Sequence, residues 1–446
     1  MRLSSFKRGS LLLAPALALC SWISLNPYFF WGTSRHMSLA GLAAGVIALL
    51  AVVAGDRPRK SDMVGFALMA IFIVYISALP KTDGSFTKWY FVLPTMLALF
   101  VFSDERRADL TKKFSIIFAL SVLPGIVVSL LSIAGVNIEF DHKPLLNPVM
   151  AAAGGYYLNV PGVLLLGNNV TALPWGGALY RLCGVYDEPG MIGTVSAFLL
   201  AANRFRIKSP VSIILFVGGL LSFSLAFAVL TVSGFAARLI LNRSAKTLVP
   251  LALCVLAGLL SAGVIKPDAP PSPAEAVASE AVPSIVEATL PVESAPALSP
   301  AHVTTIVSPT STLRQTQYLN NRSLPEMQQL TNNYWSSDLK TLLFGISSDA
   351  SLVYGGVSQV ITRIFTDFGI VGMVLFTGAM GLLALSVLRR ADSPAWAFLF
   401  FGLFFLSVYQ RPIVWMPYAF TLFVCCPILA SVSGHKRIES FELRAA

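Results

Sequence analysis

Charge is what this chain has least of. Only 12% of its 446 residues are Asp, Glu, Lys or Arg, about half of what a soluble domain carries, and that scarcity excludes an ordinary water-soluble fold. Cysteine is sparse: Cys20, Cys183, Cys254, Cys425 and Cys426. Four lie in apolar runs, where a thiol behaves as a small hydrophobe. Cys183 stands alone in a polar stretch, so no disulfide framework is written here. There is no CxxC pair, and the four histidines join no cluster of metal-ligand spacing. A basic stripe is also missing. The net charge of +10 sits in small groups between apolar runs, which excludes a nucleic-acid partner and matches the way basic residues orient membrane helices.

What remains is apolar. Hydrophobic residues make up 55% of the chain, the mean hydropathy is +0.73, and runs of roughly 17–25 apolar residues, the length that crosses a bilayer core, recur throughout. The expected fold class is all-α: a polytopic integral membrane helical bundle of about twelve transmembrane helices with two long outer loops. The pattern predicts helices over 10–30, 37–55, 62–80, 88–103, 114–136, 189–203, 210–223, 225–241, 247–264, 366–388, 393–409 and 413–432.

Arg2, Lys7 and Arg8 before Leu11-Leu12-Leu13 resemble the start of a signal peptide. Cleavage at Ala14-Pro15-Ala16 or Ala16-Leu17-Ala18 would leave too short an apolar core, and Leu19 is too large for a lipoprotein site at Cys20. The stretch reads as an uncleaved first helix. With both termini cytoplasmic, the inner segments hold 21 of the 32 basic residues, among them Arg57, Arg59, Lys60, Arg106, Arg107, Arg204, Arg206, Arg389 and Arg390. The outer segments hold 11 despite containing more chain. The stretch 210–241 is short for two crossings. Arg204/Arg206/Lys208 before it and Arg243/Lys246 after it both favour the inner side, so a pair of short helices hinged near Ser222-Phe223-Ser224 is expected.

The outer segments run over about 137–188 and 265–365. Residues 265–313 carry nine prolines among Ala, Val and Ser and read as a flexible insert. Residues 314–365 read as the ordered part. There, Ser323 as N-cap, Pro325 and Glu326 predict a helix start, with the helix running to about Leu343 and stopping at Gly345. The soluble portion is too small for a separate enzyme domain, so chemistry would use outer loops laid against one membrane domain spanning 1–446.

The polar cluster with the most chemical content is Tyr180-Arg181-Leu182-Cys183-Gly184-Val185-Tyr186-Asp187-Glu188-Pro189-Gly190, at the lip of an apolar run. Its Arg-x-x-Gly-x-x-x-Glu-Pro pattern is one of three features that resemble the O-antigen polymerase and ligase (Wzy-like) family of membrane glycosyltransferases. The second is the short-helix pair around Leu220-Leu221-Ser222-Phe223-Ser224. The third is a large outer loop ending in Leu342-Leu343-Phe344-Gly345, followed by Phe365-Thr366-Asp367-Phe368-Gly369-Ile370-Val371-Gly372. Together they cover roughly 180–390. Two departures stand out. Leu225 follows Ser224, where the family commonly has arginine. Ser358-Gln359 stands where its ligases carry His-Asn, and the only histidine in the long second loop is His302. The missing histidine favours a polymerase.

The resemblance implies transfer of glycan from a polyprenyl diphosphate to a hydroxyl of a second lipid-linked repeat unit, at the outer (periplasmic) face of the bacterial inner membrane. No cofactor and no metal are implied. Partners would be polyprenyl diphosphate-linked oligosaccharide and membrane lipids, with a flippase or chain-length regulator among other assembly proteins. Arginine can neutralise a leaving diphosphate through its fixed fork of donors, and a carboxylate can take the proton of the attacking hydroxyl. Arg181 is the first candidate for the diphosphate; otherwise it is an interfacial side chain that snorkels. Glu188 is the candidate base, with Asp187 able to share the role; otherwise Glu188 is a carboxylate favoured by a helix N-terminus before Pro189. Arg322 is a second diphosphate candidate or a solvated surface charge. Arg363 is a binding candidate or the partner of Asp367 in an i,i+4 pair. Arg411 faces phosphate or headgroups. Tyr186, Tyr334 and Trp335 are candidates to stack on sugars.

Three rival readings are a ligase of the same family, a lipid-linked oligosaccharide transporter, and a scaffold of a polysaccharide-export complex. A transporter places ionisable residues near the midplane on broken helices. Here the predicted spans are almost free of charge.

Overall fold

The computed structural model describes residues 12–33, 35–86, 92–145, 155–242, 248–261, 325–354, 360–408 and 416–431. It is mostly helical. In chain order the first half gives α1 (Leu13–Ile23), α2 (Arg35–Val53), α3 (Lys60–Ala78), α4 (Val92–Val101), α5 (Asp104–Ile133), α6 (Pro189–Ala202), α7 (Pro210–Leu221), α8 (Leu225–Asn242) and α9 (Leu248–Ser261). The second gives α10 (Pro325–Trp335), α11 (Leu339–Phe344), α12 (Ala350–Val353), α13 (Val360–Arg390), α14 (Pro394–Val408) and α15 (Pro417–Ser431). A helix overlaps each of the twelve predicted apolar segments. Among the described residues, four are by length and composition long and apolar enough to cross a membrane: α2, α3, α5 and α13. The hinge at 222–224 separates α7 from α8 as expected.

The all-α expectation is corrected between α5 and α6. Four strands lie there, β1 (Asp141–Pro144), β2 (Tyr156–Val160), β3 (Val163–Ala172) and β4 (Ala178–Gly184), antiparallel in the order β1-β2-β3-β4. The local reason is legible afterwards. Tyr-Tyr-Leu-Asn-Val and Val-Leu-Leu-Leu flank Pro161-Gly162, and Val160 pairs with Val163 across that two-residue turn. Pro161 fixes its own φ, and Gly162 takes φ +84° at no steric cost. Apolar β-formers on both sides then zip outward.

Two helix boundaries also differ. α5 starts at Asp104, well before the predicted 114, because Ser103 caps it by accepting from Arg106 N (3.3 Å) and Asp104 and Glu105 occupy its first turn. The helix expected from Pro325 to Leu343 is two helices. Ser336 and Ser337 bond back to carbonyls of the preceding turn, and Asp338 caps a new helix through Thr341 N (3.1 Å). The stop at Gly345 holds, with φ +85°. Gly345 meets Gly369, where α13 is broken (φ +67°, ψ −171°). A Cβ on either glycine would lie 2.4 Å from a backbone oxygen of the other segment, so neither tolerates a side chain.

The bundle has two chemically distinct ends. At one, the predicted inner segments meet: Arg59–Asp104 (3.0 Å), Arg106–Asp56 (2.6 Å), Arg107–Asp62 (2.7 Å) and Arg390–Asp62 (2.9 Å). Arg204, on the ring of Trp396, donates to Ala430 O (2.7 Å) there as well. At the other end, the predicted outer segments meet. Tyr28 N donates to Val185 O (2.7 Å) and Ser348 N to Pro80 O (3.0 Å). Near that end the first and last helices are stitched together: Ser21 Oγ lies 2.9 Å from Thr421 Oγ1, and Tyr418 N donates to Ser24 Oγ (2.9 Å).

Candidate functional site

The Arg181–Glu188 segment is built by β4 and the turn that follows it. Arg181 lies opposite Leu166 of β3. Gly184, at φ +60°, ends the strand close to α5, where a Cβ on Gly125 would lie 3.5 Å from Gly184 Cα. Tyr186 N closes the turn on Cys183 O (3.0 Å). The Tyr186 ring stacks on Phe118 at 5.4 Å, and its hydroxyl bonds Trp22 Nε1 (3.0 Å) and Ser121 Oγ (2.7 Å). Tyr157 donates its hydroxyl to Asp187 O (2.5 Å). Four elements therefore fix the backbone that carries Asp187 and Glu188.

The half-buried Arg181 does not point freely into solvent. Its Nε donates to Ser222 O (3.5 Å) and its Nη2 to Phe223 O (3.3 Å). The first motif is thereby tied to the hinge that forms the second. Those carbonyls end α7, where the helix dipole is negative and favours a cation. Glu188 is the N-cap residue of α6 (φ −138°, ψ 141°) with Pro189 in the first turn, yet its side chain accepts no capping bond. Burial pushes the Cys183 thiol well above its ordinary range; Arg181 pulls it down, while Asp187 and Glu188 push it up. All three charges thus act on one buried sulfur.

The other candidates fall elsewhere. Arg363 Nε pairs with Asp367 Oδ2 (3.1 Å), the i,i+4 geometry anticipated as its simpler role. Asp367 also accepts from Ser351 N and Ser351 Oγ (both 2.8 Å), so the pair clamps α12 onto α13. Arg322 and Arg411 lie outside the described residues. Of the three candidate sugar-stacking rings, Tyr186 and Tyr334 are fully buried and cannot face a sugar. Burial follows from their hydroxyls finding inward partners, Tyr334 on Leu342 O (2.7 Å). Trp335 is 53% exposed and packs at a tilt on Phe365 at 5.4 Å. Among the described residues, no group of three or more His, Cys, Asp or Glu is placed to share a metal ion.

Sequence reasoning missed Tyr157, whose contact with Asp187 is a backbone bond no motif encodes, and the two hinge carbonyls that Arg181 caps. It also missed the charges inside the helices. Arg107 is 0% and Asp62 1% exposed. The spans are thus not as charge-free as composition suggested, although these charges sit at helix ends.

The fold and the site together define a mostly helical protein with a small sheet, whose apolar helices are compatible with a membrane. The chain matches no family model, no curated protein and no solved structure. The resemblance to the Wzy-like family therefore rests on the motifs of residues 180–390 alone.

Proposed function

We propose that this chain is a polysaccharide polymerase of the bacterial inner membrane, with both termini cytoplasmic. It would act at the outer face, on O-antigen, capsule or exopolysaccharide repeat units carried by polyprenyl diphosphate. The observation that carries the reading is the contact of Arg181 with the Ser222 and Phe223 carbonyls. Two family-like motifs, remote in sequence, converge on one guanidinium, whose segment goes on to carry two carboxylates at the top of a buried helix.

In this reading the acceptor hydroxyl oxygen attacks the anomeric carbon of the donor glycan. Its proton passes to the Glu188 carboxylate, with Asp187 as the alternative acceptor. The bond from anomeric carbon to phosphate oxygen breaks, and the diphosphate leaves with the electron pair. Arg181 holds the growing negative charge; Arg322 and Arg411 are further candidates for that role. Arg363 would act indirectly, by holding the large outer loop through Asp367 and Ser351. No metal and no cofactor enters this scheme.

The test is a deletion strain examined for polymer length and for lipid-linked units. Single repeat units on the acceptor support a polymerase. Loss of all attached glycan with long polymer still on the lipid carrier would replace it with a ligase. A transporter is the second reading, because α13 is broken at Gly369 beside a buried ion pair, the construction transporters use for ion sites. Against it, protein groups occupy the break: Ile346 N bonds Thr366 O (2.8 Å), and Tyr75 donates to Phe368 O (2.8 Å). Accumulation of lipid-linked units on the inner leaflet in the deletion strain would favour the transporter.

A further inference from the structure

Three independent lengths place the Arg181 cluster relative to the membrane. The first is along α5. Its last charged residue is Lys113, and the apolar run from Phe114 to Ile133 is about 30 Å long, the thickness of a hydrocarbon core. β4 descends beside this run. Ala178 O accepts from Ser132 Oγ (2.9 Å) near the end of α5, whereas Gly184 lies against Gly125. Gly125 is eight residues before Ile133, or about 12 Å lower. The second length is α6. Its last residues adjoin Arg204 at the charged inner end, and its 14 residues rise only about 21 Å. The third is α7. It shares that inner end through Asn203 Nδ2 and Ser212 Oγ (2.8 Å), and its 12 residues rise only about 18 Å.

We infer that β4 and the α7–α8 hinge are re-entrant. The strand enters from the outer side, the helix pair from the inner side, and they meet below the outer boundary of the bilayer core. The cluster of Arg181, Asp187 and Glu188 is then a recessed site, suited to a diphosphate that arrives with its lipid tail in the bilayer. Non-helical backbone at that depth must find partners within the protein, and at the hinge it does. Ser222 N bonds Gly218 O (3.0 Å), Phe223 N bonds Leu220 O (3.0 Å), Phe227 N bonds Ser224 Oγ (3.4 Å), and Arg181 takes the two hinge carbonyls. The pair α7–α8 turns back without crossing and preserves the even parity demanded by its basic flanks. The depth stands on the helix lengths alone; the ligand class rests on the function proposed above.

The depth is measured on full-length protein in lipid vesicles, with nitroxides placed singly at Leu120, Val127, Leu131 and Val136, all exposed apolar positions on or just beyond α5. Leu120 and Val127 should be reached by oxygen and shielded from a water-soluble nickel chelate, Leu131 should be intermediate, and Val136 open to the chelate. Val127 as open to the chelate as Val136 would place Gly125 in water and overturn the recess. For the ligand, farnesyl diphosphate should raise the Tm of the purified protein by several degrees, well beyond farnesol or inorganic diphosphate, and Arg181→Ala should abolish the difference. Equal stabilisation by inorganic and farnesyl diphosphate would overturn the lipid-linked ligand class. Stabilisation by neither, with the depth profile as expected, would sink the ligand class and the proposed function while leaving the depth intact.

Discussion

Arg107 and Arg181 are both arginines held among apolar helices, and they are held differently. Arg107 is wholly enclosed. Its Nε donates to Leu99 O (2.8 Å), its Nη1 to Asp62 Oδ2 (2.7 Å) and its Nη2 to Phe100 O (3.3 Å), with Asp104 at 3.8 Å. Arg390 and Ser386 complete the shell of Asp62. That guanidinium is spent inside the protein, and the group joins α3, α4, α5 and α13. Arg181 is half-buried, bonds carbonyls at two distances near the long limit of a hydrogen bond, and precedes the half-buried Asp187 and Glu188 in the same segment. An arginine in an apolar setting therefore does not mark a site by itself. What separates the two is enclosure: Arg107 is wholly buried among carboxylate and carbonyls and acts as a rivet, whereas Arg181 is half-buried and caps a hinge.

The largest expected effect tests the rivet. Asp62→Ala strands Arg107 and Arg390 without their shared carboxylate, and breaking a buried pair in this way costs about 3–5 kcal/mol. Folded protein recovered after mild detergent extraction should fall sharply. The double variant Asp62→Leu/Arg107→Met should recover much of it, since removing both charges is less costly than leaving one. A single Asp62→Ala that extracts like the parent would remove the distinction drawn here.

The next effect falls on Arg181. Arg181→Ala should abolish polymer with normal membrane insertion, and Arg181→Lys should fail to rescue it, because an ammonium lacks the bidentate fork. Full polymer from the lysine variant would reduce Arg181 to a cap for the hinge. Glu188→Gln should be gentler on binding: donor affinity is retained while turnover slows by roughly 10²-fold or more, the usual worth of a general base. Near-normal turnover would leave Glu188 as a helix-terminal charge and move the search to Asp187.

Smaller still is Tyr186→Phe, which deletes the hydroxyl shared by Trp22 and Ser121. The expected loss is about 1–2 kcal/mol of stability, read as a lower Tm, with polymer length unchanged at permissive temperature. Smallest is removal of residues 268–305, which should leave most activity in place because that composition cannot build a packed site. Loss of polymer with normal insertion would assign the insert a role.

The sequence disclosed the parts governed by long periodic signals. Twelve apolar segments each overlap a helix, and the hinge at Ser222–Ser224 follows from basic residues on both flanks that demand an even number of passes. The sheet escaped because a hydropathy window sees Val-Leu-Leu-Leu as one more apolar run, whereas Pro161-Gly162 decides its fate within two residues. The start of α5 escaped for the opposite reason: a capped, charged first turn is invisible to hydropathy. Of the candidate site, the Arg181 pattern and the Arg363–Asp367 spacing were readable because they are local. The cap that Arg181 places on the hinge joins residues about forty apart and depends on packing that no local pattern encodes.

The stitch between the first and last helices bears on biosynthesis. Ser21 and its partner Thr421 are 400 positions apart. At a synthesis rate of about 5–20 residues per second, α1 is made roughly 20–80 s before the helix that satisfies its buried hydroxyls. During that interval Ser21 and Ser24 must borrow partners, from water in the insertion machinery or from the backbone of their own helix. α15 is buried on nearly every face, so a chain halted after α14 would lack a central helix and leave the apolar faces of its neighbours uncovered, a ready mark for quality-control proteolysis.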